Sequence, residues 1–251
     1  MKLSLHLEPA QPPIWFRSIL PLLAVLITFL LTAGLLLLLR ANPLEGYYYF
    51  LIKPLSGRTS AIEILVKATP LLLTGAAVAF AFAGGYWNIG AEGQLYAGAT
   101  AATAVGLQME SVSPWLALPL MLLGGFFAGM VWALIPALMK VRLKIDEVVT
   151  TLLLNSVAIL IVSAILNGPW RDPISQWPQS PDIAAAAIFP KLIARSRLHL
   201  GFVVALIVIA VLWFILERTG FGMRMRAVGL SPKAAQFSGI NVPRTVLSSS
   251  H

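Results

Sequence analysis

The 251-residue sequence has no cysteine, three histidines and only 11% charged residues. The missing cysteine excludes disulfides, thiolate nucleophiles and cysteine-held metals. His6, His199 and His251 lie near the chain ends or in a loop, so a histidine metal centre inside a membrane has no material, and neither catalytic nor metal-binding residues are expected. Charge is scarce against the roughly 25% of a soluble domain. In its place stand 58% hydrophobic residues and a mean hydropathy of +0.84. These residues fall in uninterrupted blocks rather than one-sided stripes, and their natural solvent is hydrocarbon. The expected fold class is therefore all-α, a polytopic transmembrane helical bundle. The net charge of +8 does not point to nucleic acid, because the basic residues sit between apolar blocks rather than on a compact domain. They act as topology signals, and they meet anionic membrane lipid favourably.

About six spans are expected: Ile19 to Leu39, Ile64 to Ala83, Ile89 to Leu107, Trp115 to Met139, Val148 to Leu166 and Gly201 to Leu216. The first is long enough to cross a core about 30 Å thick, and no small-residue cleavage site follows it at Arg40-Ala41-Asn42-Pro43. Between Leu166 and Gly201, prolines 169, 173, 178, 181 and 190 break any continuous helix, while Trp170 and Trp177 suit a membrane boundary. This segment reads as an external loop carrying a short surface helix. With the N-terminus inside, the inner loops hold Lys140, Arg142, Lys144, Arg218, Arg224, Arg226, Lys233 and Arg244. Residues 1–251 read as a single transmembrane domain without an internal repeat.

A broken helix is expected near 84–92, in AFAFAGGYWNIGAEGQLYAGATAA. Gly84 and Gly85 end one apolar run, Asn88 offers a cap to the next, and Glu92 lies near the positive end of its dipole. A carboxylate in an apolar stretch is costly in lipid, so Glu92 should face protein or water. Asn88, Glu92 and Gln94 then either line a solute path, as broken helices do in transporters, or merely satisfy a helix end. Gly125 and Gly129 form a GxxxG pattern assigned to packing.

In KVRLKIDEVVTTLLLNSVAILI, Asp146 is an N-cap candidate at an inner-surface helix start. Thr151 and Asn155 lie four apart on one face, where they meet either solute or a neighbouring helix. After the last span, Ser231 offers a cap, Pro232 suits the first helical position, Ala234 and Ala235 favour helix, and Gly239 suits a stop. The expected product is a short cytoplasmic helix with a flat alanine surface and with Arg224 and Arg226 beside it; the alternative is a basic stretch held by anionic lipid.

The strings YWNIGAEGQLYAGA, IDEVVTTLLLNSVA and TGFGMRMRAVGLSPKAAQFSGI, in this order between Ile64 and Pro243, resemble permeases of ABC importers for simple sugars and nucleosides, within the larger group of branched-chain amino acid permeases. The resemblance implies a bacterial cytoplasmic-membrane subunit with no cofactor and no catalysis of its own, ATP being used by a separate ATP-binding subunit. It also implies a second permease subunit and an extracytoplasmic solute-binding protein. Ala234, Ala235 and Gly239 match the AAxxxG core of the family's coupling helix, while Lys233 stands where many importers carry an acid. Consistent with that division of labour, the sequence has no GxxxxGK[ST] phosphate loop. Family members continue with further spans beyond Val246, so the sequence reads as C-terminally incomplete. Two other classes stay open: a secondary transporter or channel, and a membrane enzyme, the latter lacking intramembrane acids beyond Glu92.

Overall fold

The computed structural model describes residues 13–250. They fall into two compact units, one running to Ala61 and the other from Ile62. In the first unit, α1 (Ile14–Leu38) is a long apolar helix whose stretch Ile19–Leu38 suffices to cross a membrane. A tight series follows: α2 (Pro43–Tyr47), capped by the Asn42 side chain accepting from the Leu44 amide at 3.0 Å, a π-helical turn over Tyr48–Ile52, and α3 (Lys53–Ser56). The Tyr47 hydroxyl folds this series back by donating to the Phe29 carbonyl.

The second unit is built on α4 (Arg58–Ala83), α5 (Ala91–Gly106), α6 (Pro114–Leu143), α7 (Glu147–Asn167) and α8 (Gly201–Arg218). The short helices α9 (Gly220–Leu230), α10 (Pro232–Phe237) and α11 (Val242–Ser249) close the described chain. Together with α1, helices α4, α6, α7 and α8 are long and apolar enough to span a bilayer, giving a multi-pass membrane protein. Helix α5 departs from the expected Ile89–Leu107 crossing. Its 16 residues reach about 24 Å, short of a hydrocarbon core of about 30 Å, because the glycine break consumes the residues before Ala91.

Burial is inverted relative to a soluble protein. The fully buried positions of the long helices are small, with Ala81, Ala117, Ala133, Ala137, Ala158 and Ala205 each almost sealed, whereas Leu, Ile, Phe and Trp populate the outside. Small residues let helices approach where lipid supplies no hydrophobic drive, and large apolar ones face acyl chains. The antiparallel crossing of α5 and α6 is close, for a Cβ on Gly98 would stand 2.9 Å from the Gly125 carbonyl and one on Gly129 3.4 Å from that of Gln94. This gives the GxxxG pair its packing role. Helix α7 runs parallel to α5 on the other side.

The unit has two distinct ends. At one, the α4–α5 break, the α6–α7 turn and α9 to α11 gather. At the other lies the segment between α7 and α8, whose only helical piece is a 3-10 turn at Ala185–Ala187 rather than the expected surface helix. An isolated antiparallel bridge there pairs Lys191 with His199.

Candidate solute break and coupling element

Helix α4 stops where Gly84 and Gly85 turn the chain. Gly85 has φ +73°, and a Cβ there would meet Gly229 Cα at 3.1 Å, so both conformation and space require glycine. Asn88, only 2% exposed, follows. It does not occupy the N-cap of α5. That position is Gly90, and the Asn88 Oδ1 accepts from the Gly90 amide at 2.9 Å one step before the helix. The Asn88 and Gln94 amides also pair reciprocally, at 3.4 and 3.3 Å.

The cap of α5 comes instead from another helix. Asn155 on α7 accepts from the Gly93 amide at 2.8 Å and donates its Nδ2 to the Ile89 carbonyl at 2.9 Å, so one side chain holds the backbone on both sides of the Gly90 N-cap. Of the two readings of the Thr151–Asn155 face, contact with a neighbouring helix is the one the geometry displays. Thr151 is buried, bonds back to the Glu147 carbonyl at 2.7 Å, and lies where a Cβ on Gly90 would come within 2.9 Å.

Four of the five sequence-predicted path residues, Asn88, Gln94, Thr151 and Asn155, therefore meet around Gly90 and Gly93. Glu92 does not join them. It lies in the first turn of α5 with its side chain exposed. A cavity of about 280 Å³ between α4, α5 and α6 includes Gln94, with Thr74 and Phe126 among its walls.

Three groups that sequence reasoning did not place in the site sit directly beneath the break. Lys140 near the end of α6 pairs with Glu147 at the start of α7 across the tight turn at Lys144, and also donates to the Gly85 carbonyl at 3.4 Å. Glu147 in turn accepts from the Trp87 amide at 3.4 Å. Tyr86, wholly buried, packs its ring under the Lys140 ammonium at 5.3 Å. Their one sequence signal is opposite charge flanking a short turn; the neighbouring Asp146 caps α7 by accepting from the Val149 amide at 3.1 Å.

On the other side of Tyr86 lie α9, α10 and α11. Val228, Ala235 and Val246 form one buried cluster with Ala81, Tyr86 and Ala137. Gly229 is required by contact, since a Cβ would fall 2.3 Å from the Ala83 carbonyl. Helix α10 is built as the sequence suggests. Ser231 accepts from the Ala234 amide at 3.3 Å, Pro232 is the first helical residue, and Gly239, at φ +82°, turns the chain out. The flat alanine surface is corrected, however. Ala235 is 3% exposed and belongs to the inner cluster, so Ala234 alone faces out. What projects is Phe237, 96% exposed, and Leu230, 89% exposed. Arg224 is exposed, whereas Arg226 is tied to Glu217 on α8 at 3.0 Å. Of the three histidines, His6 and His251 lie outside the described residues, and the His199 Nδ1 accepts from the Gly201 amide at 3.1 Å.

A multi-pass bundle whose central short helix begins at a polar glycine break, backed by a compact helical element with apolar knobs, has the make-up of a transport protein's membrane subunit. The chain belongs to the family described as branched-chain amino acid transport system / permease component, whose model matches residues 60–250. Among curated relatives, the glucose ABC transporter permease protein of Haloferax volcanii is 32% identical, covering 96% of this chain and 66% of its own length. The guanosine ABC transporter permease protein of Bacillus subtilis is 32% identical, over 92% of this chain and 67% of its own. The nucleoside ABC transporter permease protein of Lactococcus lactis is 30% identical, over 92% and 66%. The chain thus spans about two thirds of the length of the curated relatives it matches. No solved structure matches it.

Proposed function

We propose that this chain is the membrane-spanning permease subunit of an ATP-driven ABC importer for a nucleoside or related sugar-type solute, seated in the bacterial cytoplasmic membrane. The observation that carries the reading is the seating of α9 and α10 against the glycine break, with Phe237 and Leu230 left bare. Large apolar side chains this exposed on a short capped helix mark an interaction surface. The partner proposed for it is an ATP-binding subunit, which hydrolyses ATP while this chain carries out no catalysis. Arg224, Ala234, Leu230 and Phe237 supply the docking face, Arg226 is held ready by Glu217, and Ala235 and Gly239 fix the helix that presents it.

The names of the relatives support nucleosides and sugars as the solute class. Asn88, Gln94, Thr151 and Asn155 supply the polar groups at the break, and the adjoining cavity adds the Thr74 hydroxyl and the Phe126 ring, a pairing suited to hydroxyl-rich solutes and flat bases. Glu92, turned outward, faces a second permease subunit in this scheme. An extracytoplasmic binding protein delivers solute to the end bearing the Lys191–His199 bridge. Movement of the ATP-binding partner is passed through α10 to the break, which alternates access.

Uptake of labelled nucleosides, pentoses and hexoses, competed against one another in proteoliposomes holding the complete transporter, tests the reading. ATP-dependent uptake is expected, with loss of ATP-binding subunit co-purification in Phe237→Ser. Uptake that proceeds without ATP would favour a secondary transporter.

A further inference from the structure

The break and the coupling element do not merely adjoin; one set of side chains joins them. Tyr86 belongs to the buried cluster with Val228, Ala235 and Val246, so its ring packs against α9 to α11. Above that ring stands the Lys140 ammonium, which also reaches the Gly85 carbonyl and pairs with Glu147. Glu147 then holds the Trp87 amide and opens the helix that carries Thr151 and Asn155, the residues lying against Gly90 and Gly93. The path from Ala235 to Asn155 is thus continuous through packed or hydrogen-bonded groups.

One feature sets this chain of contacts apart from ordinary structural glue. The Lys140 and Glu147 side chains are only 26% and 12% exposed, and a pair so far withdrawn from water recovers little net stability for its desolvation, its best-attested use being to fix one arrangement against another.

We propose that Lys140 and Glu147 are positioning residues that transmit movement of α9 and α10 to the glycine break, the ammonium riding on the Tyr86 ring and the carboxylate holding the Trp87 amide. This rests on the permease reading above. Neither residue touches solute or nucleotide in this scheme; both act through the backbone between Gly85 and Gly90.

The test uses the complete transporter in proteoliposomes and reads solute taken up per ATP hydrolysed together with co-purification of the ATP-binding subunit. Lys140→Met and Glu147→Gln are each expected to keep the subunit bound while lowering uptake per ATP about tenfold. Lys140→Arg, which keeps a cation beside the Tyr86 ring and a donor toward the Gly85 carbonyl, is expected to retain most of the coupling, and Tyr86→Phe, which keeps the ring, to stay within about twofold of the unaltered chain. Unchanged uptake per ATP in Lys140→Met and Glu147→Gln overturns the proposal, as does a Lys140→Arg variant no better coupled than Lys140→Met. A transporter in which the unaltered chain never binds an ATP-binding subunit would instead remove the permease reading, and this link with it.

Discussion

At the residue scale, Asn155 shows how far the sequence could be read. Its polarity in an apolar helix, four residues after Thr151, marked it as a group needing a partner. The partners, the Gly93 amide and the Ile89 carbonyl, lie 62 and 66 positions away in sequence, and no local pattern names them. Asn88 differs for the opposite reason: a good capping residue two positions before the N-cap satisfies a local turn at the Gly90 amide instead, and Gly90 itself is required by its approach to Thr151. Asn155→Leu removes the side chain that caps α5 at the Gly93 amide and leaves the Ile89 carbonyl without it, and should lower unfolding stability in detergent by about 1–2 kcal/mol; an unchanged thermal midpoint would contradict its role. Asp172, in the segment after α7, offers a check by titration. Its exposed carboxylate accepts from the Ser175 hydroxyl, the Ile174 amide and Gln179, which lowers its pKa from 3.8 to about 2. A group with a depressed folded pKa helps order its loop above the unfolded value, and that help disappears as pH falls from 3.8 toward 2. Carboxyl chemical shifts should therefore give a midpoint near 2, and one at the unperturbed 3.8 would show that the Asp172 turn does not form.

Elements were legible where local chemistry decides them. The Asp146 and Ser231 caps, the proline opening α10 and the Gly239 stop are each set by residues within a few positions, and each stands where the sequence puts it. What the sequence hid was which face of α10 turns inward. Ala234 and Ala235 are equivalent on paper, and only the cluster around Tyr86 selects Ala235 for burial and leaves Phe237 outside. The same limit applies to helix crossings. GxxxG announced a close approach on α6, but Gly98 as its counterpart emerges from the antiparallel register of α5. Gly98→Val should push these helices apart, costing about 1–3 kcal/mol and lowering the thermal midpoint of the purified chain, whereas the same change at Gly75, whose Cβ would meet nothing within 4 Å, should cost far less. Equal effects at the two sites would refute the crossing as described.

For the whole molecule, composition alone established the class, because so much uninterrupted apolar surface has no solvent but lipid. The number of full-length crossings was less legible. A hydropathy block around α5 looks like a span until the glycine break takes its first residues, and only the structure shows a helix of 16 residues held between two longer neighbours. That shortening brings the polar break to the same end of the bundle as α9 to α11. We propose that this end faces the cytoplasm and receives an ATP-binding subunit there. Because the chain has no cysteine, a single thiol introduced as Ser238→Cys beside Phe237 can be labelled without background. A membrane-impermeant maleimide should leave it untouched in intact cells and modify it in inverted vesicles, with protection when the ATP-binding subunit is bound. Labelling of Ser238→Cys in intact cells would place the element on the outer face and contradict the claim.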